Sequence, residues 1–384
     1  MEQETLAALR DQLARVTEHE LYADHLADAD LGVDSAEAFR DLPFLTGEDL
    51  EADYDADPPE GTCYDGAAML CFTPLGDGLA PVFDTRRDLE WQAEANARAF
   101  ERAGIGPGDR VANTFGYHTF GTGLLLQRGL EELGAEVLPL GPGDSGETAG
   151  TIERYDVDAL VGNPSFALKL AEAGASVDVF VGGGEPFTSV PGLRADVKEA
   201  LDAETAVDYF GTRQILPVAV ETASEDGLRV LDEYALVEVI DPDTGEVLDY
   251  GERGELVVTH LRKEASPLVR YRTGDLAEWE ERDGEVVLPN GVIGRTDGRL
   301  KVKGVKLYPE SLGTVLAGFP DLTGEYRLEV SRPGSTDRLA LVCEGEADVD
   351  DLRAAVKRRL LVTPDEVRLV EDLDGPGVAD ERYD

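Results

Sequence analysis

From Arg110 to Leu140 the chain reads RVANTFGYHTFGTGLLLQRGLEELGAEVLPL. Two short apolar runs, RVANTF and AEVLPL, flank a segment, TGLLLQRGLEELG, whose apolar residues recur at helical spacing. Strand, helix and strand in that order imply a right-handed crossover between parallel strands. The alternation continues to Gly211 through DALVG, VDVFVGG and AVDYFG, with helical stretches such as SFALKLAEAG between them. A mostly parallel sheet covered by helices is therefore expected.

Before this block, Thr46 with Asp49 and Thr85 with Asp88 have the spacing of capping boxes, the second opening a long helix that Gly and Pro stop. At the amino terminus Leu6, Leu9, Leu13 and Val16 fall on one helical face. From Leu228 to Val292 the apolar period becomes two, between the turns PDTG, ERDG and LPNG, which is the pattern of β-hairpins. The last ~85 residues alternate strands such as GEYRLEVS and LALVCEG with helices such as DVDDLRAAVKRRLL, enough for a small domain. The fold expected is α/β. It has a large body of mostly parallel sheets over 1–293, with an α/β part at 42–211 and a β-rich subdomain at 228–293. A hinge at 294–297 and a small α+β lid at 298–384 complete it.

The 384 residues carry 35 Lys and Arg against 80 Asp and Glu, a net charge of -45. The carboxylates are spread along the whole chain, which points to the surface chemistry of a halophile, a protein adapted to concentrated salt, with an acidic protein that binds a basic partner as the alternative. Such a field repels phosphate backbones and argues against nucleic acid as a partner. No apolar run approaches the ~18 residues of a membrane span, and the first residues lack the basic and apolar segments of a signal peptide. A cytoplasmic protein with no membrane partner is expected. Cys63, Cys71 and Cys343, like the His residues, are too isolated for a disulfide framework or a metal cluster. Against this background the segment GRTDGRLKVKGVKLYPE, 294–310, is unusually basic. Lys301, Lys303 and Lys306 alternate with Val302, Val305 and Leu307, so a strand there would put its cations on one face.

Several blocks in order, LPFLTGEDL, NTFGYHTFGTGL, GGGEPF, GERGELVVTHLRKEASPLVRYRTGDL and the basic segment itself, resemble the AMP-forming adenylating enzymes. Within them they are similar to the phenylacetate-CoA ligase branch, over a span from about Leu42 to about Glu371. The resemblance implies a ligase that joins a carboxylic acid, an aryl acid such as phenylacetate, first to AMP and then to CoA, with ATP and magnesium as cofactors. It implies that Asp275 and Arg295 hold the ribose, with Glu185, Pro186, Phe210, Gly211 and Thr212 around the nucleotide and acyl group, and Thr73 on phosphate. Phe115 and Tyr117 would line the acyl pocket, Gln214 would stand at the metal position, Asp297 would be the hinge pivot, and Lys306 would be catalytic, facing CoA or pyrophosphate. The implied partners are small molecules, namely the acid, the nucleotide and CoA; a homodimer is left open. Each residue also has a plain counterpart: a turn aspartate, a solvated linker, an edge strand guarded by lysine, an aromatic core stripe.

Three departures from the family pattern bear on adenylation. The Ser, Thr and Gly-rich phosphate loop is replaced by CFTPLGDGLAP, in which Thr73 remains but Pro74 removes an amide and Asp77 adds a carboxylate. Gln214 stands where the family has an acid, so magnesium should be held more weakly. No lysine follows Lys357, although the family's lid ends in a catalytic one, and Arg382 is the cation left to replace it. Two functions therefore stand side by side: an acid-CoA ligase with impaired adenylation, or a catalytically degenerate paralogue that binds AMP, acyl-adenylate or acyl-CoA as a sensor or scaffold.

Overall fold

The computed structural model describes residues 3–64, 66–75, 78–296, 300–303, 305–307, 309, 311–316, 318–333, 336–360, 362–373, 375 and 377–383. The chain divides into two compact units, one of Met1–Thr188 with Leu193–Gly294 and one of Ser189–Gly192 with Arg295–Asp384. The first begins with helices α1 (Gln3–Val16), α2 (Glu20–His25), α3 (Ala36–Arg40) and α4 (Gly47–Ala56). A hairpin of β1 (Met69–Leu75) and β2 (Gly78–Asp84) leads into α5 (Arg86–Arg102). Strand and helix then alternate through β3 (Arg110–Asn113), α6 (Thr122–Leu133), β4 (Glu136–Pro139), α7 (Ser145–Arg154) and β5 (Ala159–Gly162). The series goes on with α8 (Pro164–Glu172), β6 (Val179–Gly183), α9 (Leu193–Leu201) and β7 (Thr205–Phe210). After these come β8 (Ala219–Glu221), β9 (Leu228–Val230), β10 (Ala235–Ile240), β11 (Arg253–His260) and β12 (Tyr271–Glu278). The last are β13 (Glu280–Arg282), β14 (Glu285–Leu288) and β15 (Val292–Arg295), whose final residue opens the second unit.

Among the described residues the largest sheet has nine strands, in the order β13-β14-β9-β8-β7-β6-β5-β3-β4. From β4 to β7 neighbours are parallel. Strand β3 pairs with β4 on one side and β5 on the other, so the order reverses there, the kind of point at which open α/β sheets take ligands beyond the carboxyl ends of their strands. One expectation changes. Strands β9, β13 and β14 do not belong to a separate β-rich subdomain but extend the large sheet through β8 as antiparallel neighbours. Alternation in a sequence marks a strand without saying which edge it will join, and β8, buried at every position, is sheet interior. The remaining strands, β10-β11-β12-β15, make a four-stranded sheet.

Local chemistry sets the element ends. Both expected capping boxes are present, Thr46 with Asp49 on α4 and Thr85 with Asp88 on α5. Helix α6 runs between Gly121 and Gly134, at φ 66 and 90. It lies on α5 closely enough that a Cβ on Gly129 would collide with Asn96. Phe100, Ile105, Val111, Leu125, Leu130, Val161 and Val181 form the core beneath these helices. A second core joins Leu9, Leu13, Val16 and Tyr22 from the amino-terminal helices to Leu256, Val258 and Tyr271 of the four-stranded sheet.

The second unit contains β16 (Leu300–Val302), β17 (Val305–Leu307), α10 (Ser311–Leu316), β18 (Leu322–Ser331), β19 (Arg338–Gly345), α11 (Val349–Leu360), β20 (Glu366–Val370) and β21 (Gly377–Asp380). Its sheet runs β20-β19-β18-β21 over a core of Val302, Leu307, Leu328, Val330, Leu341 and Leu352. The basic segment is a tight hairpin and not a single strand: Lys301 on β16 is paired with Lys306 on β17. Lys303 sits at the reversal with φ 52, and its amide donates to Asp337 Oδ2 (2.9 Å).

Candidate active site

The carboxyl ends of the parallel strands carry many of the residues singled out in the sequence. After β3, the side-chain nitrogen of buried Asn113 donates to the Tyr117 hydroxyl (2.9 Å) and the Gly123 carbonyl (2.9 Å). Its Oδ1 accepts from the Phe115 amide (3.1 Å), so one asparagine folds the Phe115–Tyr117 loop over the strand end. Burial pushes the Tyr117 hydroxyl up to about 12, against the opposite pull of Asn113. The Phe115 ring reaches β6, where a Cβ on Gly183 would lie 3.7 Å from its Cζ. After β6, buried Glu185 accepts from the Ser165 amide (3.2 Å) and hydroxyl (2.8 Å) in the first turn of α8, where the helix favours a carboxylate. Pro186 follows, and Phe187 packs edge-on against Phe180 (5.7 Å). After β7, Phe210 is half-buried, and Gly211 has no room for a side chain because a Cβ would meet Leu216 at 2.7 Å. The Thr212 amide donates to the Ile215 carbonyl (2.8 Å). Glu185–Pro186 and Phe210–Thr212 thus leave the ends of neighbouring strands.

The segment expected as a phosphate loop is the β1–β2 hairpin, paired from Met69 with Asp84 to Leu75 with Gly78. Asp77 lies outside the described residues. Thr73 is 1% exposed, and its hydroxyl donates to Gln214 Oε1 at 3.4 Å. At the hairpin base Asp84 forms ion pairs with Arg213 and Lys263 and accepts from Gln92 Nε2 (2.6 Å). Lys263, 1% exposed, also donates to the Phe83 carbonyl (2.9 Å) and Asp88 Oδ2 (3.4 Å). Gln12 clasps its backbone, donating to the Lys263 carbonyl (2.7 Å) and accepting from its amide (3.2 Å). Burial alone would raise the Asp84 carboxyl, but Lys263 and Arg213 outweigh it and hold the group at about 2. Nothing local in the sequence announces this network, although Lys263 stands inside the block GERGELVVTHLRKEASPLVRYRTGDL and Arg213 follows β7. The available signal was two cations beside apolar runs in a chain otherwise short of them.

Asp275 lies on β12, whose register against β11 shifts between Glu255 and Val257. Glu255 accepts from the Gly274 amide (3.0 Å) and pairs with Arg272, while the Thr273 hydroxyl donates to the Leu256 carbonyl (2.7 Å) and accepts from the Asp275 amide (3.0 Å). A bulge of this kind re-aims the side chains beside it. Asp275 is left 7% exposed. Arg295 ends β15, the strand next to β12 in the same sheet.

In the second unit Lys306 is described by its backbone on β17, and Lys303 pairs with Asp365 at 2.7 Å. Asp297 lies outside the described residues. The Arg382 side chain, 3% exposed, binds Asp380 (2.6 Å) and Asp337 (3.3 Å). This is the setting of a strut in the unit's own fold, and the catalytic role expected for Arg382 is not carried further. Among the described residues no three His, Cys, Asp or Glu gather as for a metal ion, and no helix is long and apolar enough to cross a membrane.

No family model matches the chain. The phenylacetate-coenzyme A ligase of Escherichia coli (strain K12) is 32% identical over 274 residues, covering 68% of this chain and 62% of the relative. That of Thermus thermophilus is 34% identical over 276 residues, covering 68% and 61%. A 2-hydroxyisobutyryl-CoA ligase in complex with 2-HIB-AMP and CoA has the same fold, with a TM-score of 0.85 at 24% identity over 99% of this chain and 90% of that one. An open conformation of that ligase gives 0.73 at 26% identity, covering 98% and 91%. Together with the mixed sheet and its loaded strand ends, these likenesses define an AMP-forming adenylating enzyme fold. Over 68% of its length the chain is similar to the phenylacetate-CoA ligases of that superfamily. It spans 61% to 65% of the length of the curated relatives it matches.

Proposed function

We propose that this chain acts as an acid-CoA ligase, converting a carboxylic acid, an aryl acid such as phenylacetate, with ATP and CoA to acyl-CoA, AMP and pyrophosphate. What supports the reading is the setting of Glu185–Pro186 and Phe210–Thr212 on the ends of neighbouring parallel strands, where open α/β sheets take ligands. On this reading adenine lies against Phe210 and Gly211, and Asp275 with Arg295 holds the ribose hydroxyls. The acyl group meets Phe115 and Tyr117, an apolar slot carrying one hydroxyl. The acid's carboxylate attacks the α-phosphorus and pyrophosphate leaves; the CoA thiolate then attacks the acyl carbon and AMP leaves. Lys306 faces CoA or pyrophosphate, and Asp297 is the pivot. Magnesium fits poorly, because Gln214 offers a neutral amide oxygen already bound to Thr73, so no step is assigned to it. Purified protein in molar KCl with ATP, Mg²⁺, CoA and a panel of aryl acids should release AMP and pyrophosphate. Release of neither with any acid overturns the ligase reading.

The hairpin favours a second reading. With Pro74 lacking an amide, a ladder that runs to Leu75, and the Thr73 hydroxyl given to Gln214, few donors remain for a triphosphate among the described residues of the hairpin. A degenerate paralogue would keep the nucleoside and acyl pocket as a sensor or scaffold. Calorimetry separates the two: tight binding of AMP or acyl-CoA without turnover supports the sensor, and robust turnover removes it.

A further inference from the structure

Behind the Glu185–Thr188 segment lies a pair of buried carboxylates with one arginine beside them, bound to only one of the two. Asp208, on β7, accepts from the Thr188 amide (3.0 Å), and the Thr188 hydroxyl also faces it. Glu221, on β8, accepts from the Asp208 amide (2.8 Å), the Gly227 amide (3.1 Å) and Arg194 of α9 (2.7 and 2.9 Å). Arg194 directs its remaining bonds to the Ala206 carbonyl (2.8 Å) and the Thr188 hydroxyl (2.8 Å). Its charge is therefore taken by Glu221, and Asp208 is met by neutral donors alone. Other neighbours bring no compensation. Gly182 stands opposite on β6, Gly291 closes the side towards β15 with a Cβ position 3.1 Å from Asp208 Oδ2, and Lys198 is engaged by Glu225 one turn of α9 away.

We propose that Asp208 is a positioning residue for the segment 185–188, holding it closed while the carboxyl carries its proton and loosening it when the carboxyl ionises. Burial, with Glu221 adding to it and Thr188 and Arg194 opposing, pushes the group up to about 7. Thr188 is the lid over this carboxylate, so a state in which the segment has lifted admits water and returns the acid towards its ordinary range near ~3.9. The closed state thus binds the proton more tightly. By linkage it is favoured at low pH, weakens as pH rises towards 7, and changes little beyond. Because Glu185 and Pro186 ride on this segment, nucleotide affinity would follow the same curve; that consequence rests on the function proposed above, and the closure itself does not.

The test is read without nucleotide, so the two can fail separately. Amide exchange of Glu185, Phe187 and Thr188, corrected for intrinsic rates and followed from pH 5 to 8 in molar KCl, should lose protection as pH rises. Asp208→Asn, which mimics the neutral acid, should hold it level. Carbon NMR of aspartate-labelled wild-type protein, which needs no variant to fold, should show one buried aspartate titrating near neutrality, and Glu221→Gln should move that midpoint down. Protection that ignores pH in the wild type, an equal slope in Asp208→Asn, or an Asp208 that titrates with the ordinary carboxylates overturns the proposal.

Discussion

Asp84 balances Arg213 and Lys263 where hairpin, post-β7 turn and the approach to β12 meet. Asp84→Asn would leave buried Arg213 without its anion and Lys263 with only the longer pair to Asp88 (3.4 Å), and removing one partner of a buried pair costs about 3–5 kcal/mol. Denaturant unfolding in molar KCl should show a loss of that size. The pH dependence has a definite sign. With the folded carboxyl held at about 2, below an unfolded value near ~3.9, its contribution is complete above about 4 and is lost as pH falls through about 2. The acid limb of stability should therefore be shallower in the variant. On the proposed function, Asp275→Ala would remove a charged acceptor worth about 1.5–3 kcal/mol, so AMP affinity should drop by roughly 10- to 150-fold in calorimetry while the circular dichroism spectrum is kept. Asp275 could be singled out from the sequence because it sits inside an unbroken block, VRYRTGDL. The Asp84 network could not, since its ion pairs join residues 129 and 179 positions apart and no local pattern reports such pairs.

Helices α5 and α6 show where local preference and packing disagree. Alanine is the better helix former than glycine by ~1 kcal/mol, which taken alone would make Gly129→Ala stabilising. Its methyl would strike Asn96 on α5, and overpacking costs about 1–3 kcal/mol, so the packing term decides the sign. Thermal unfolding should shift downwards, and because the collision is with the Asn96 Cβ, which alanine keeps, Asn96→Ala should leave that shift in place. Element type was legible wherever a period was long: the strand and helix series from β3 to β7, the capping boxes and the amino-terminal helix all stand as read. Partner choice was less so. Strands β9, β13 and β14 read as hairpins yet extend the large sheet, and the lysine segment read as one strand yet doubles back at Lys303. Period two fixes the face of a strand and leaves its neighbours to the tertiary fold.

A net charge of -45 acts on the molecule as a whole. At 0.01 M salt the Debye length is ~30 Å, so carboxylates repel across an entire domain, while at 1 M it is ~3 Å and only adjacent charges interact. The unfolding midpoint should climb steeply with KCl over that range; a flat profile would remove the reading of this surface as salt-adapted. Size brings a further consequence through Gln12, whose partner Lys263 lies 251 positions away. At about 5–20 residues per second, a ribosome needs on the order of ten to fifty seconds to deliver one after the other. For that interval the Leu9, Leu13 and Val16 face of α1 has been synthesised and its landing surface on β11 and β12 has not. Until those strands emerge, that greasy face can be shielded only by its near neighbours in the same core, such as Tyr22, Val33 and Phe39.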